Sequence, residues 1–307
     1  MTQESSAILY HYCSLDTFLC ILRNKTFRLS DITKSNDRME RNFALYKSKD
    51  IIFEFIRANG LDEKRDETEL KQLIQGYLKD AIDFVDETAR VNHALCFSTE
   101  GDLLSQWRAY GNDGKGVAIG FDRSVLEKIF SGKNYIGLDE IHYGELVEQD
   151  KQSIKRILEL VKPHIENAPL VGKINTMCQE VVIRWSLNQA LLYKHPGFQE
   201  ENEVRLHTSI PLKKFGIIIH PDFYLNKLKE ELAPLEVNYD YIARESQLSS
   251  YIDIGFIGGD IPTHQFIKKI FIGPRANISE SEMKEIMRHY GIGVDEHCIE
   301  KSSTPYC

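Results

Sequence analysis

Glu201, Glu203 and Arg205 stand at alternating positions inside the stretch 198–206 of a 307-residue chain. Read as a β-strand, this stretch sends Val204 and Leu206 to one face and the three charged side chains to the other. Successive side chains on such a face lie roughly 6.5–7 Å apart. Two carboxylates and a guanidinium in a row can do acid–base work, or hold developing positive charge, when they floor a cleft. On an open edge strand the same row is a solvated face. Side-by-side carboxylates raise the pKa of at least one of the two unless Arg205 compensates.

Other chemistries find less support. The run Gly111-Asn-Asp-Gly-Lys-Gly116 looks superficially like a phosphate loop. Its spacing is short, Gly116 replaces the Ser/Thr that would hold magnesium, and a strand rather than a helix follows it. Gly255-Phe-Ile-Gly-Gly259 does not fit a dinucleotide fingerprint. No His-Glu-x-x-His, Cys/His zinc spacing or Gly-x-Ser-x-Gly elbow occurs, so no metal site is expected. Three further groups carry polar rings or hydroxyls at suggestive spacing. They are Tyr10-His11-Tyr12, Cys96-Phe97-Ser98 and the i, i+3 pair Trp107/Tyr110. Each also has an ordinary reading: a satisfied core histidine, a helix cap at Ser98, and helix packing for Trp107 and Tyr110.

The elements that must position these residues follow from periodicity and capping. Strands are expected at 7–12, 27–30, 93–98, 116–122 and 135–143. After the charged row, more are expected at 216–220, 235–244, 251–257, 269–273 and 293–299. Ser14 caps a helix over 15–23 whose apolar face is Leu15, Phe18, Leu19 and Leu22. A helix through Met39 toward Gly60, with Asp37 and Glu40 as a capping pair, is followed by another over 72–90. Short helices are expected at 102–110 and 124–130, and longer ones at 147–167 and 170–193, split by Pro169. A capping box of Ser279 and Glu282 opens the last helix, to about residue 290. Strands at both ends with helical blocks between them point to an α+β fold. One domain, 1–307, is expected, with 40–90 as a helical insertion.

A net charge of −8 argues against a broad nucleic-acid-binding face. No signal peptide and no apolar run of about 18 residues is visible, so no membrane role is expected. Six scattered cysteines without a Cys-x-x-Cys suggest reduced thiols and a cytoplasmic setting.

Several motifs, in order, resemble a bacterial family of unknown function. They are Leu9-Tyr-His-Tyr-Cys-Ser-Leu15, Leu29-Ser-Asp31, Asn36-Asp37-Arg38-Met39-Glu40, Cys96-Phe-Ser98, Trp107-x-x-Tyr110 and Gly114-Lys-Gly-Val-Ala-Ile-Gly-Phe-Asp122. Tyr193-Lys194, Glu201-x-Glu203-x-Arg205, Ile272-Gly-Pro274 and Ser303-Thr-Pro-Tyr306 complete the set. Arg38 departs from the family's usual proline. At greater distance, Tyr-His-Tyr, a helix, then Arg-Leu-Ser resembles the NAD-binding half of ADP-ribosyltransferases, including DNA-modifying toxins.

That resemblance implies a mixed split-sheet core with a cleft, and NAD as the substrate. It implies His11 on the adenosine-side ribose, Ser98 on a middle strand, and Glu203 as the catalytic carboxylate. Glu201 would orient or deprotonate the acceptor. Tyr12, Trp107 or Tyr110 would stand near the bound dinucleotide, with Arg28 and Arg205 as its cations. The implied product is ADP-ribose passed to a protein or nucleic acid, or to water, in a toxin or phage-defence effector. The alternatives are a non-catalytic nucleotide- or partner-binding sensor and a metal-dependent nuclease. On the transferase reading, Glu203→Gln is expected to abolish turnover and leave the melting temperature nearly unchanged.

Overall fold

Strand β4 (Val117–Asp122) is buried along its whole length, as a central strand covered on both faces must be. β1 (Ile8–Cys13) and β11 (Ile267–Ile272) flank it, both antiparallel. The structure, a computed structural model, describes residues 7–32, 40–62, 65–88, 90–131, 136–185, 190–211, 239–244, 247–256, 266–293 and 298–306. Around β4 runs a mixed sheet in the order β12-β11-β4-β1-β3-β2-β10-β9, with β8 on the far edge of β3 and β5 on β8. The remaining members are β2 (Thr26–Asp31), β3 (Arg90–Ser98), β5 (Ile136–Glu140), β8 (Glu203–Pro211), β9 (Tyr239–Arg244), β10 (Gln247–Gly255) and β12 (Ile299–Lys301). β12 pairs parallel to β11. A separate parallel pair joins β6 (His142–Tyr143) to β7 (Tyr193–Lys194). The fold is α+β.

β3 has two neighbours on one edge. β1 touches it only at Tyr10↔Ser98, and β2 only at Ser30↔Ala94 and Asp31↔His93. Residues 95–97 therefore face a fork between β1 and β2. On its other edge β3 pairs with β8 without interruption. Helix α1 (Leu15–Asn24) closes the back of the fork. Ser14 accepts from the Thr17 amide as its cap, Lys25 ends it in left-handed backbone, and Phe18, Ile21 and Leu22 are buried. Below the fork, Phe27 packs within 4.6–6.4 Å of five rings: Phe97, Phe121, Phe130, Phe256 and Phe266. This aromatic core stiffens the strands that diverge there.

The helical block is larger than the expected insertion at 40–90. α2 (Glu40–Ala58) and α3 (Glu67–Thr88) share one apolar core with α6 (Glu148–Ile165) and α7 (Leu170–Trp185), to which Leu192 and Tyr193 also belong. A second core lies under the sheet, with α1, α5 (Arg123–Phe130) and α8 (Glu280–His289). α8 has the expected capping box of Ser279 and Glu282. α4 (Leu104–Ala109) is short and follows β3.

Some expectations need correction. The stretch 198–202 is not extended: Pro196–Glu201 is a 3-10 turn capped by His195, and Asn202 is left-handed at φ 43°. Pro196 presets φ and gives up an amide that a strand would use. Glu201 thus precedes the strand, whereas Glu203 and Arg205 lie on it. The row is not a wet edge, since β8 is flanked on both sides and Glu201, Glu203 and Arg205 are all buried. The strand expected at 135–143 is broken between β5 and β6. The helix expected to reach residue 193 is described as far as Trp185, and residues 190–194 form a 3-10 turn and β7. Of the last expected strand, 293–299, the structure describes Ile299 within β12. Residues 216–220, 235–238, 294–297, Asp37 and the loop around Arg38 lie outside the described residues.

Candidate functional site

Cross-strand pairs put Tyr10 with Ser98, Ser30 with Ala94, Ser98 with Glu203 and Cys96 with Arg205. Paired residues share a face. One side of the sheet therefore carries Tyr10 and Tyr12, Arg28 and Ser30, Cys96 and Ser98, and Glu203 and Arg205. A cavity of about 680 Å³ opens on this side and runs through the fork to α1. His11, Tyr12, Arg28, Cys96, Tyr110, Glu201 and Glu203 all line it. The volume lies within the ~300–1,000 Å³ common for small-ligand sites.

His11 alternates to the opposite face from Tyr10 and Tyr12, and reaches the cavity through the fork. Its Nδ1 donates to the Cys96 carbonyl at 3.0 Å. That bond satisfies a β3 carbonyl where β1 and β2 part. Burial pushes the imidazole below its ordinary pKa, opposed by the bond to Cys96. With Nδ1 protonated and the ring neutral, Nε2 is an acceptor.

The charged row is part of a four-residue ion network. Lys194 Nζ donates to Glu201 Oε2 at 2.5 Å and to Glu203 Oε2 at 2.8 Å. Arg205 Nε donates to Glu203 Oε1 at 2.5 Å, and its Nη2 to Oε2 at 3.1 Å. Arg205 Nη1 donates to the Leu191 carbonyl at 2.6 Å. Two anions and two cations thus balance in a buried site, the arrangement that makes buried charge tolerable. Burial alone would raise the Glu203 pKa, but Arg205 and Lys194 outweigh it and hold the carboxyl at about 2. The Cys96 thiol also favours the ionised form of Glu203. Tyr110 donates to Glu201 Oε1 at 3.3 Å, and Tyr143 accepts from the Glu203 amide at 2.9 Å.

Arg28 is engaged bidentately by Asp253, at 2.8 and 2.7 Å, and lies 3.6 Å from the centre of the Tyr251 ring. A phosphate there would share the guanidinium with Asp253. Tyr12 is pinned by its hydroxyl, which donates to the Glu100 carbonyl at 2.8 Å and accepts from the Leu103 amide at 2.9 Å.

Ser98, Trp107 and Arg205 do not line the cavity. Ser98 donates to the Glu201 carbonyl at 2.7 Å and accepts from the Glu100 amide, which ties the end of β3 to the 3-10 turn. Trp107 is fully buried, 4.8 Å from the Tyr12 ring, with Nε1 donating to Asp102 at 2.7 Å. Arg205 stands behind Glu203. Each acts on the cavity through a neighbour. The sequence reading missed Lys194 and Cys96. Lys194 sits in the Tyr193-Lys194 pair just ahead of Glu201, but nothing in its spacing says that a chain reversal brings it against both carboxylates. Among the described residues no group of three or more His, Cys, Asp or Glu side chains could hold a metal ion, and no helix is long and apolar enough to cross a membrane.

Residues 106–206 match the model of a family described as "Protein of unknown function (DUF2971)". The DUF2971 segment begins within α4 and ends within β8. It therefore holds Tyr110, Lys194, Glu201, Glu203 and Arg205, and leaves His11, Arg28 and Cys96 outside. No curated protein and no solved structure matches the chain.

Proposed function

We propose that the protein cleaves the nicotinamide–ribose bond of NAD and passes ADP-ribose to a macromolecule or to water, on an ADP-ribosyltransferase-like core. The observation that carries this reading is the fork cavity, which gathers His11, Arg28, Tyr110, Glu201 and Glu203 from four separate segments. A split sheet with a dinucleotide across the split is what the sequence resemblance implies. A toxin or phage-defence setting rests on that resemblance alone.

Cleavage of this bond builds positive charge on the ribose, as in glycoside hydrolysis. A carboxylate held ionised and fixed in place stabilises that charge at little reorganisation cost. Glu203, with its pKa at about 2, fits this role and is a poor proton acceptor at neutral pH. Glu201 lies beside it with Tyr110 on one oxygen, and it is the candidate to take the proton from an acceptor or a water. His11 Nε2 would accept from a ribose hydroxyl. Tyr110 would lie against the nicotinamide ring, and Arg28 against the pyrophosphate.

The test is nicotinamide release from NAD, followed by chromatography, for the parent, Glu201→Gln and His11→Ala. Release by the parent that drops in both variants supports the reading. A parent that neither binds NAD nor releases nicotinamide, with cell extract supplied as acceptor, overturns it. A binding module without turnover is the second reading, because Lys194 and Arg205 already occupy both Glu203 oxygens. Heat on mixing with NAD and no nicotinamide would favour that one.

A further inference from the structure

Residues 302–306 make a clasp that the proposed chemistry does not use. Asp102, just after β3, receives Ser302, Ser303 and Thr304. Its Oδ1 accepts from Trp107 Nε1 at 2.7 Å, Ser302 Oγ at 2.5 Å and Thr304 Oγ1 at 3.0 Å. Its Oδ2 accepts from the Ser303 amide at 2.8 Å and Ser303 Oγ at 3.0 Å. The Asp102 carbonyl, 3.1 Å from Thr304 Oγ1, shares that same proton with Oδ1. Burial would raise the Asp102 pKa, but these bonds carry it below its ordinary value. One carboxylate thereby joins the start of α4, its central tryptophan and residues 302–304.

A second anchor lies one turn further on. Tyr306 donates its hydroxyl to Asp113, and Arg275 pairs with the same carboxylate. The Tyr306 ring lies between Arg108 and Arg275, at 5.0 and 5.3 Å. The segment held this way is Asn112, Asp113 and Gly114, three consecutive left-handed residues at φ 51°, 55° and 77°. L side chains resist that backbone, and such conformations persist where their surroundings over-determine them. A Cβ on Gly114 would come 3.0 Å from the Tyr306 ring. Gln106, Tyr110 and Asn112, all between the two anchors, line the cavity.

We infer that Asp102, Thr304 and Tyr306 are positioning residues: the clasp holds α4 and the left-handed turn so that Tyr110 and Asn112 form the cavity wall. Residues 302–306 are thus part of the site, although they do not line the cavity. The effect on ADP-ribose binding rests on the proposed NAD chemistry, whereas the effect on the wall itself does not.

The experiment compares the parent with Asp102→Asn, Thr304→Val, Tyr306→Phe and Thr304→Ser, well below their melting temperatures. Without ligand, hydrogen exchange of residues 104–116 is expected to speed up in the first three variants, with β4 unchanged. Alkylation of Cys96 by iodoacetamide is expected to speed up with it. Calorimetry should show ADP-ribose bound roughly tenfold more weakly, the loss expected for one hydrogen bond to a charged group. Thr304→Ser keeps the hydroxyl and should match the parent. Parental exchange and alkylation in all variants would overturn the clasp. Faster exchange with unchanged alkylation and unchanged binding would overturn its action on the cavity. A parent that binds no ADP-ribose defeats the NAD reading instead, and exchange and alkylation then decide the clasp.

Discussion

Glu203→Gln removes one charge from a buried set of four and leaves its shape nearly intact. In the parent, Lys194 and Arg205 face Glu201 and Glu203 with no net charge. The variant leaves both cations with Glu201 alone. Breaking a buried ion pair by removing one partner costs about 3–5 kcal/mol. An independent route agrees. The Glu203 pKa falls from 4.5 to about 2 on folding, and at roughly 1.4 kcal/mol per unit this is about 3 kcal/mol. With an unfolding entropy of about 2.1 cal/mol/K per residue over 307 residues, the melting temperature should drop by about 5 °C at pH 7. The sequence reading expects almost no change, because it leaves Glu203 unpaired except by its strand neighbour. The sign with pH follows from a depressed carboxyl: its stabilisation is complete above about pH 4.5 and is lost as pH falls toward about 2. The gap between parent and variant should therefore close on acidification. Replacing Arg205 by Met in the same chain should restore part of the loss, since its guanidinium has lost the Glu203 carboxylate whereas Lys194 keeps Glu201. The assay is thermal melting by circular dichroism between pH 7 and pH 3. A variant that melts within 1 °C of the parent at pH 7 would refute the buried network.

Other perturbations test the frame around the cavity. Gly116→Ala would put a methyl group 2.0 Å from the Cys13 carbonyl oxygen; poor expression of folded protein is expected, and a parental melting curve would contradict the packing of β1 on that turn. Phe27→Ala empties the centre of the aromatic core and should cost about 3–5 kcal/mol, read by urea denaturation. Tyr12→Phe leaves the Leu103 amide without its hydroxyl acceptor and should cost about 1–3 kcal/mol, with faster exchange at that amide as the direct readout. A chelator should leave nicotinamide release unchanged; cleavage of DNA or RNA that vanishes with chelator and returns with a divalent cation would favour the nuclease alternative.

The elements were legible where local rules decide them. The Ser14 cap, the apolar spacing from Leu15 to Leu22 and the Ser279/Glu282 box place α1 and α8 almost to the residue. The stretch 198–202 was not legible. An alternating charge pattern matches a strand from either side, and Pro196 and Asn202 outweigh it through φ alone. The candidate site was half legible. His11, Arg28, Tyr110, Glu201 and Glu203 could be picked out by type, and all five line one cavity. That Trp107 is core, that Ser98 bonds to backbone and that Lys194 joins the carboxylates depend on contacts made across long stretches of chain. No local pattern encodes those distances.

The two apolar cores meet at the ion network. Lys194 directly follows Leu192 and Tyr193, which belong to the helical core, while Glu203 and Arg205 project from the strand whose Val204 and Leu206 belong to the other. The same four charges therefore serve as the weld between the two halves of the molecule. A ligand cation drawn to Glu203 would compete with that weld, so occupancy of the cavity and the grip of one half on the other become two readings of a single charge balance.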